Sequence, residues 1–220
     1  MKPKALYFDQ WSRLHGDIDP RKSVVLRYWL SAMYELARPF VVLRVPPDAV
    51  TYFGLLVAAC VPLCASFLTW PWLLLAGLLC VASGLLDGLD GAVAVLSGRT
   101  SRWGFVLDSV VDRISDLLFL LALWLVGAPG LVVAVAGAVM LLLEYARARA
   151  ASGGMKNAGA LTMGERPTRV IVVAVFLGMA AWAPFGHTAG WWAGLGATVC
   201  LVVGIVALVQ LTSAIRRSFR

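Results

Sequence analysis

Charge is scarce in this sequence: only 14% of its 220 residues are Asp, Glu, Lys or Arg, and 60% are hydrophobic. A soluble domain carries roughly 25% charged and 45 to 50% apolar residues, so an ordinary water-soluble domain is excluded. Cysteine and histidine are scarce too. Cys60 and Cys64 stand four apart, but Cys80 and Cys200 lie in separate apolar runs with no His or Asp at ligand spacing. Reduced cysteines packed in a core are therefore expected. His15 and His187 are isolated from any partner, which leaves no histidine-based site. The first 47 residues lack an uninterrupted apolar run, so no cleaved signal peptide is expected. Neither a repeat nor a low-complexity linker divides the chain. One membrane domain over 48–220 follows an N-terminal segment over 1–47.

What the sequence has in abundance is long apolar runs. A helix needs about 17 to 25 apolar residues to cross the hydrocarbon core, and such stretches occur at 48–69, 72–97, 102–126, 129–150, 167–186 and 190–214. The expected fold is an all-α integral membrane protein with six transmembrane helices. Lys and Arg gather in the segment up to Arg44, beside Arg99 and Arg102, between Arg147 and Arg169, and from Arg216 onward. The connections around Pro71, Pro129 and His187 carry none. The positive-inside rule then puts both termini in the cytoplasm, in a multi-pass protein of the plasma membrane. Trp70, Trp72, Trp182, Trp191 and Trp192 fall at the opposite interface, where amphipathic rings are favoured. The net charge of +7 serves topology and anionic lipid headgroups, so nucleic acid is not an expected partner.

Within the first 47 residues, Val25, Trp29, Met33, Leu36 and Phe40 recur at helical spacing, with Arg27, Ser31, Glu35 and Arg38 on the other side. This predicts a basic amphipathic helix lying on the cytoplasmic membrane surface. Pro46 and Pro47 end it, and Asp48 with Thr51 is placed to cap the first membrane helix.

The chemistry concentrates between Ser83 and Asp116. Five of the 12 acidic residues stand here, Asp87, Asp90, Asp108, Asp112 and Asp116, inside two predicted membrane helices. A carboxylate at mid-membrane costs about 2.5 to 3.5 kcal/mol on insertion scales and normally faces a cavity, pairs, or serves function. Asp87 and Asp90 are i, i+3; Asp108 and Asp112 are i, i+4; each pair shares a helix face. Counting outward from residue 99 sets Asp90 level with Asp108, and Asp87 with Asp112 one turn deeper. Four carboxylates together repel unless they are protonated or hold cations. Oxygen-only ligation suits Mg²⁺, Mn²⁺ or Ca²⁺, and two ions clamp the attacking and leaving oxygens of an in-line phosphoryl displacement. Gly91, Ala94 and Gly104 leave room for a flat ligand beside the ions.

In order, these residues read D-G-L-D-G-A-V-A-V, eight residues, then G-F-V-L-D-S-V-V-D. The pattern resembles the CDP-alcohol phosphotransferase signature D-x-x-D-G-x-x-A-R-x(8)-G-x-x-x-D-x-x-x-D. Seven positions match without a spacing error, and Val95 stands where the family has Arg. The resemblance implies that Asp87, Asp90 and Asp108 hold Mg²⁺ or Mn²⁺, two ions, against the donor pyrophosphate. It makes Asp112, beside those ions, the general base for the acceptor hydroxyl. Gly91, Ala94 and Gly104 would admit the cytidine, with Ser101 and Arg99 at the donor; Arg99 follows one turn later on the same side if the helix continues. A CDP-diacylglycerol donor would yield a phospholipid and CMP. The family also implies a homodimer.

The acceptor is not written in that motif. Arg147, Arg149, Lys156, Arg166 and Arg169 gather around one cytoplasmic connection, and R-A-R followed by G-E-R-P-T-R is similar to the acceptor region of the phosphatidylinositol-phosphate synthase branch. A phosphorylated acceptor, inositol phosphate or glycerol phosphate, is the expectation, with Glu165 orienting Arg149 or Arg166. Three alternatives stay open: a cardiolipin-forming enzyme using phosphatidylglycerol, a divalent-cation transporter, and a non-catalytic lipid-binding relative.

Overall fold

The computed structural model describes residues 3–14, 19–155 and 165–219. Among the described residues every regular element is helical: α1 (Lys4–Leu14), α2 (Val24–Val42), α3 (Pro47–Ala65), α4 (Trp70–Ser97), α5 (Arg102–Val126), α6 (Gly130–Ser152), α7 (Arg166–Trp182) and α8 (Ala189–Ser218), with short 3₁₀ turns at Pro20–Lys22 and Pro184–Gly186. Helices thus occupy all six ranges expected from the apolar runs. Four of them, α3, α4, α6 and α8, are long and apolar enough to cross a membrane. α7 is short at 17 residues, and the first half of α5 carries the charged residues of the motif.

Local chemistry sets the helix ends. Pro47 opens α3 with Asp48 in its first turn, where a missing N–H costs nothing and a carboxylate suits the positive end. α4 stops at Ser97 because Gly98 takes φ 71°; the Gly98 N–H then bonds to the Val95 carbonyl and the Arg99 N–H to the Ala94 carbonyl, a Schellman closure. The helix therefore ends where the apolar run does and does not continue through Arg99. Two residues on, the Ser101 Oγ accepts the Gly104 N–H at 2.8 Å and caps α5.

The chain forms two compact units, residues 1–55 with 84–112, and residues 56–83 with 113–220. In the first, Tyr7 and Phe8 of α1 and Leu30, Met33, Tyr34 and Ala37 of α2 pack with Val50, Leu89, Ala92, Val93, Val95 and Leu96. α2 crosses α4 closely, since a Cβ on Gly88 would lie 3.1 Å from the Trp29 ring. Of the apolar stripe read from the sequence, Met33 is buried, whereas Val25 and Leu36 face outward. α1 itself was not foreseen.

In the second unit, α8 packs on α6 and α7 over a core of Leu73, Ala76, Cys80, Phe119, Leu123, Leu177, Ala193 and Ala197, among others. Small residues make the approaches, as membrane packing favours. A Cβ on Gly196 would come 2.6 Å from Phe176 Cβ, and one on Gly77 would come 3.0 Å from the Ala174 carbonyl oxygen. Gly190 and Gly194 meet the α5–α6 connection, which makes them packing positions on α8. All four cysteines are free thiols.

Candidate donor and metal site

In the first unit the motif residues converge. Asp87 comes from α4, Asp108 and Asp112 from α5; one carboxylate oxygen from each lies within 4.8 Å of the others. An octahedral ion bound at 2.0 to 2.1 Å spaces its ligand oxygens about 3 to 4 Å apart, so modest side-chain rotation brings three hard oxygen donors onto one cation. The donor set thus fits Mg²⁺ or Mn²⁺. Asp90 stands apart from this triad: it is buried, and its Oδ2 accepts the Thr51 hydroxyl at 2.5 Å.

Thr51 is the residue that sequence reasoning misjudged. It sits a full turn inside α3, so its hydroxyl is not an N-cap; it reaches across to α4 and fixes the Asp90 carboxylate. A partner that fixes a carboxylate lining the cavity is expected to matter by about 10- to 100-fold when removed, the range typical where such carboxylates ligate metals. Thr51→Val, which keeps the branched volume and loses the donor, is therefore expected to slow CMP release within that range. Thr51→Ser is expected to recover most of the rate. Equal rates for Thr51→Val and the unaltered protein would mean that the contact positions nothing.

Asp87, Asp90 and Asp108 line one open cavity of about 520 Å³, within the usual size for a ligand pocket. Every expected donor residue is on its wall: Gly91, Ala94, Arg99, Ser101 and Gly104. A Cβ on Gly91 would meet nothing within 4 Å, so helix packing does not require this glycine, and a side chain there would project into the cavity. Gly104 has a second reason to be small, because its Cβ would press on the Ser101 cap at 3.1 Å. Val95 is buried. Arg99, beyond the end of α4, holds the Arg44 carbonyl through Nη1 at 3.4 Å, so a guanidinium lines the cavity although the motif position itself is apolar. Asp48 and Thr51 complete the polar end.

The expected acceptor residues belong to the second unit, where Arg147 and Arg169 pair with carboxylates. Arg169 pairs with Asp116 at 2.9 Å and with Glu144 at 3.4 Å. Arg113 meets Glu144 at 3.0 Å. Glu165 bonds Arg147 at 2.9 Å. The reach across from α6 to the start of α7 favours this pairing, because Arg149 points to the exposed side. Arg166 is half-buried at the first residue of α7. Lys156 lies outside the described residues. From Arg113 to Arg169, five described arginines (113, 147, 149, 166 and 169) face three carboxylates (116, 144 and 165), which leaves two positive charges in excess.

Comparison with known proteins gives this geometry a context. The sequence model of the CDP-alcohol phosphatidyltransferase family matches residues 44–209. The chain is 33% identical over 187 residues to the phosphatidylinositol phosphate synthase of Mycobacteroides abscessus, covering 78% of each protein. It is 36% identical over 134 residues to the archaetidylinositol phosphate synthase of Aeropyrum pernix, 59% of this chain and 68% of that one. The crystal structure of Mycobacterium tuberculosis phosphatidylinositol phosphate synthase with CDP-DAG bound matches with a TM-score of 0.68 at 26% identity, over 83% of this chain and 92% of that one. The same enzyme in complex with manganese and citrate gives a TM-score of 0.70.

Proposed function

The chain belongs to the CDP-alcohol phosphatidyltransferase family, and from that premise we propose that it transfers the phosphatidyl group of CDP-diacylglycerol to the hydroxyl of an inositol phosphate, with release of CMP. The observation that carries this reading is the carboxylate triad beside the cavity walled by Gly91, Ala94 and Gly104.

The reaction exchanges one phosphate ester linkage for another. The acceptor oxygen bonds to the phosphorus that bears diacylglycerol, the bond from that phosphorus to the bridging oxygen breaks, and the bridging oxygen leaves on CMP. Asp112 takes the acceptor proton; a carboxylate has two oxygens, so Asp112 could both help hold a cation and serve as base. Asp87, Asp90, Asp108 and Asp112 would hold Mg²⁺ or Mn²⁺, two ions, which would supply positive charge for the pyrophosphate and for the charge that develops in transfer. Thr51 holds Asp90 in place. Gly91, Ala94 and Gly104 admit the cytidine, Ser101 lies at its edge, and Arg99 takes the part of the cation missing at Val95.

We read α5 and α7 as membrane spans alongside α3, α4, α6 and α8. Asp108 and Asp112 in the first half of α5 face the site while Trp103, Phe105, Val106 and Val110 form its exposed apolar side, and a span of 17 residues reaches the lower end of the workable range. The basic connections then lie with both termini on the cytoplasmic side of the plasma membrane, and the protein works as a homodimer. Guanidinium forks suit phosphate oxygens, so the basic group of Arg147, Arg149, Lys156, Arg166 and Arg169, which outnumbers the carboxylates around it, is the acceptor's phosphate site.

The test is turnover with CDP-diacylglycerol against inositol phosphate, glycerol phosphate, phosphatidylglycerol and free inositol, with the lipid product identified by mass. Inositol phosphate is expected to give the highest kcat/KM. Loss of a charge-assisted hydrogen bond costs about 1.5 to 3 kcal/mol, so Arg166→Ala should raise the acceptor KM by about 10- to 100-fold and leave the donor KM unchanged. Best use of free inositol or phosphatidylglycerol, or an unchanged acceptor KM, would overturn the acceptor assignment.

A further inference from the structure

Glu144 takes no part in the reaction above, yet it stands where three arginines meet. From the second half of α6 its Oε2 lies 3.0 Å from Arg113 Nη1 and 3.9 Å from Arg147 Nη1, and its Oε1 lies 3.4 Å from Arg169 Nη1. Arg113 comes from α5, Arg147 from α6 and Arg169 from α7, so one carboxylate ties three helices together. Two of these arginines are held a second time through Nη2, Arg169 by Asp116 and Arg147 by Glu165, each at 2.9 Å. The network thus joins three guanidiniums to three carboxylates, and its formal charge is zero. The Glu144 side chain is only 16% exposed, so water and salt screen these attractions little.

We propose that Glu144 is a positioning residue: it anchors Arg147 and Arg169 through Nη1 and presets their guanidiniums for the phosphate of the acceptor. The inference rests on the reading that this basic group receives a phosphorylated acceptor. Both arginines are long and flexible, and ordering them only when a phosphate arrives would cost affinity. A guanidinium is a planar fork with five N–H donors, so one anchored along one edge can offer another to an oxyanion. Two observations favour positioning over simple neutralisation. Charge balance could be met beside any one arginine, whereas Glu144 uses separate oxygens for Arg147 and Arg169 and so fixes the spacing of two arginines from different helices. Arg169 and Asp116 also share a small pocket with Phe119, Met140, Leu143 and Val173, an apolar backing that gives the guanidinium no gain from swinging inward.

The experiment measures initial rates with CDP-diacylglycerol and inositol phosphate, varying each in turn. Glu144→Gln keeps the shape and removes a negative charge, which by electrostatics alone would attract the phosphate more strongly and lower the acceptor KM. Positioning predicts the opposite sign: the acceptor KM rises about tenfold, as for one lost charge-assisted hydrogen bond, while the donor KM and the kcat at saturating acceptor stay within about twofold. Because Glu144→Gln leaves buried guanidiniums uncompensated, Glu144→Gln with Arg113→Gln serves as a second variant that removes one charge of each sign. It should melt closer to the unaltered protein and still show the raised acceptor KM. An acceptor KM that is unchanged or lower in Glu144→Gln, one restored in the double variant, or an equal rise in the donor KM would overturn the proposal. If the unaltered protein turns over free inositol better than inositol phosphate, the phosphorylated-acceptor reading fails and this inference falls with it. Efficient use of inositol phosphate with an unmoved acceptor KM in both variants removes this inference alone.

Discussion

Asp108→Asn is expected to lower the rate of CMP release by about a thousandfold while the protein still inserts, purifies and melts at or above its original temperature. Asparagine keeps the volume and removes the charge, so an effect on rate without one on folding isolates the electrostatic part. Several kcal/mol of charge stabilisation come from a metal centre, and at about 1.36 kcal/mol per factor of ten a loss of about 4 kcal/mol is about a thousandfold. Asp87→Asn and Asp112→Asn should fall as far, since their oxygens complete the group within 4.8 Å. The stability readout matters because clustered carboxylates repel: without cations, removing one charge relieves the others. Substantial turnover in two of the three variants would dismantle the constellation.

The second large effect is on stability. Arg169→Ala should destabilise the protein by about 3 to 5 kcal/mol, because truncating one member of a buried pair leaves the other uncompensated. Asp116 is only 2% exposed, and Arg169 is its partner at 2.9 Å. For a chain of this size the loss should lower the melting temperature by about 6 to 20 °C. Arg169→Met combined with Asp116→Leu removes both charges and should recover most of it. Arg147→Ala, whose partner Glu165 is more exposed, should cost less. A variant Arg169→Ala that melts like the unaltered protein but needs far more acceptor would make Arg169 a binding residue and the ion pair incidental.

These two effects fall on residues of unequal visibility in the sequence. The aspartates were legible because spacing alone places Asp87 near Asp90 and Asp108 near Asp112, and a charged cluster inside apolar runs has few physical excuses. Helix positions were legible for the same reason: apolar runs of bilayer length are separated by Pro, Gly and basic residues. The Thr51–Asp90 contact was hidden, because the two residues are 39 apart and no periodicity links a hydroxyl on one helix to a carboxylate on another. The Glu165–Arg147 contact was hidden as well, because Arg147, Arg149 and Arg166 are equivalent in sequence and differ only in direction. The end of α4 was legible too, since the apolar run closes at 97 and Gly98 follows it. α1 was missed because its 11 residues are too short and too weakly amphipathic to stand out; what fixes it is tertiary, Tyr7 on Tyr34 and Arg21 on Asp9.

The most direct measurement of the account is CMP release by the purified protein from CDP-diacylglycerol with inositol phosphate, titrated with Mg²⁺ or Mn²⁺ after chelation. The account predicts no release without the divalent ion and none without the acceptor, with one CMP formed per phospholipid when both are present. Release that persists after chelation, or CMP formed without a phospholipid product, would contradict it.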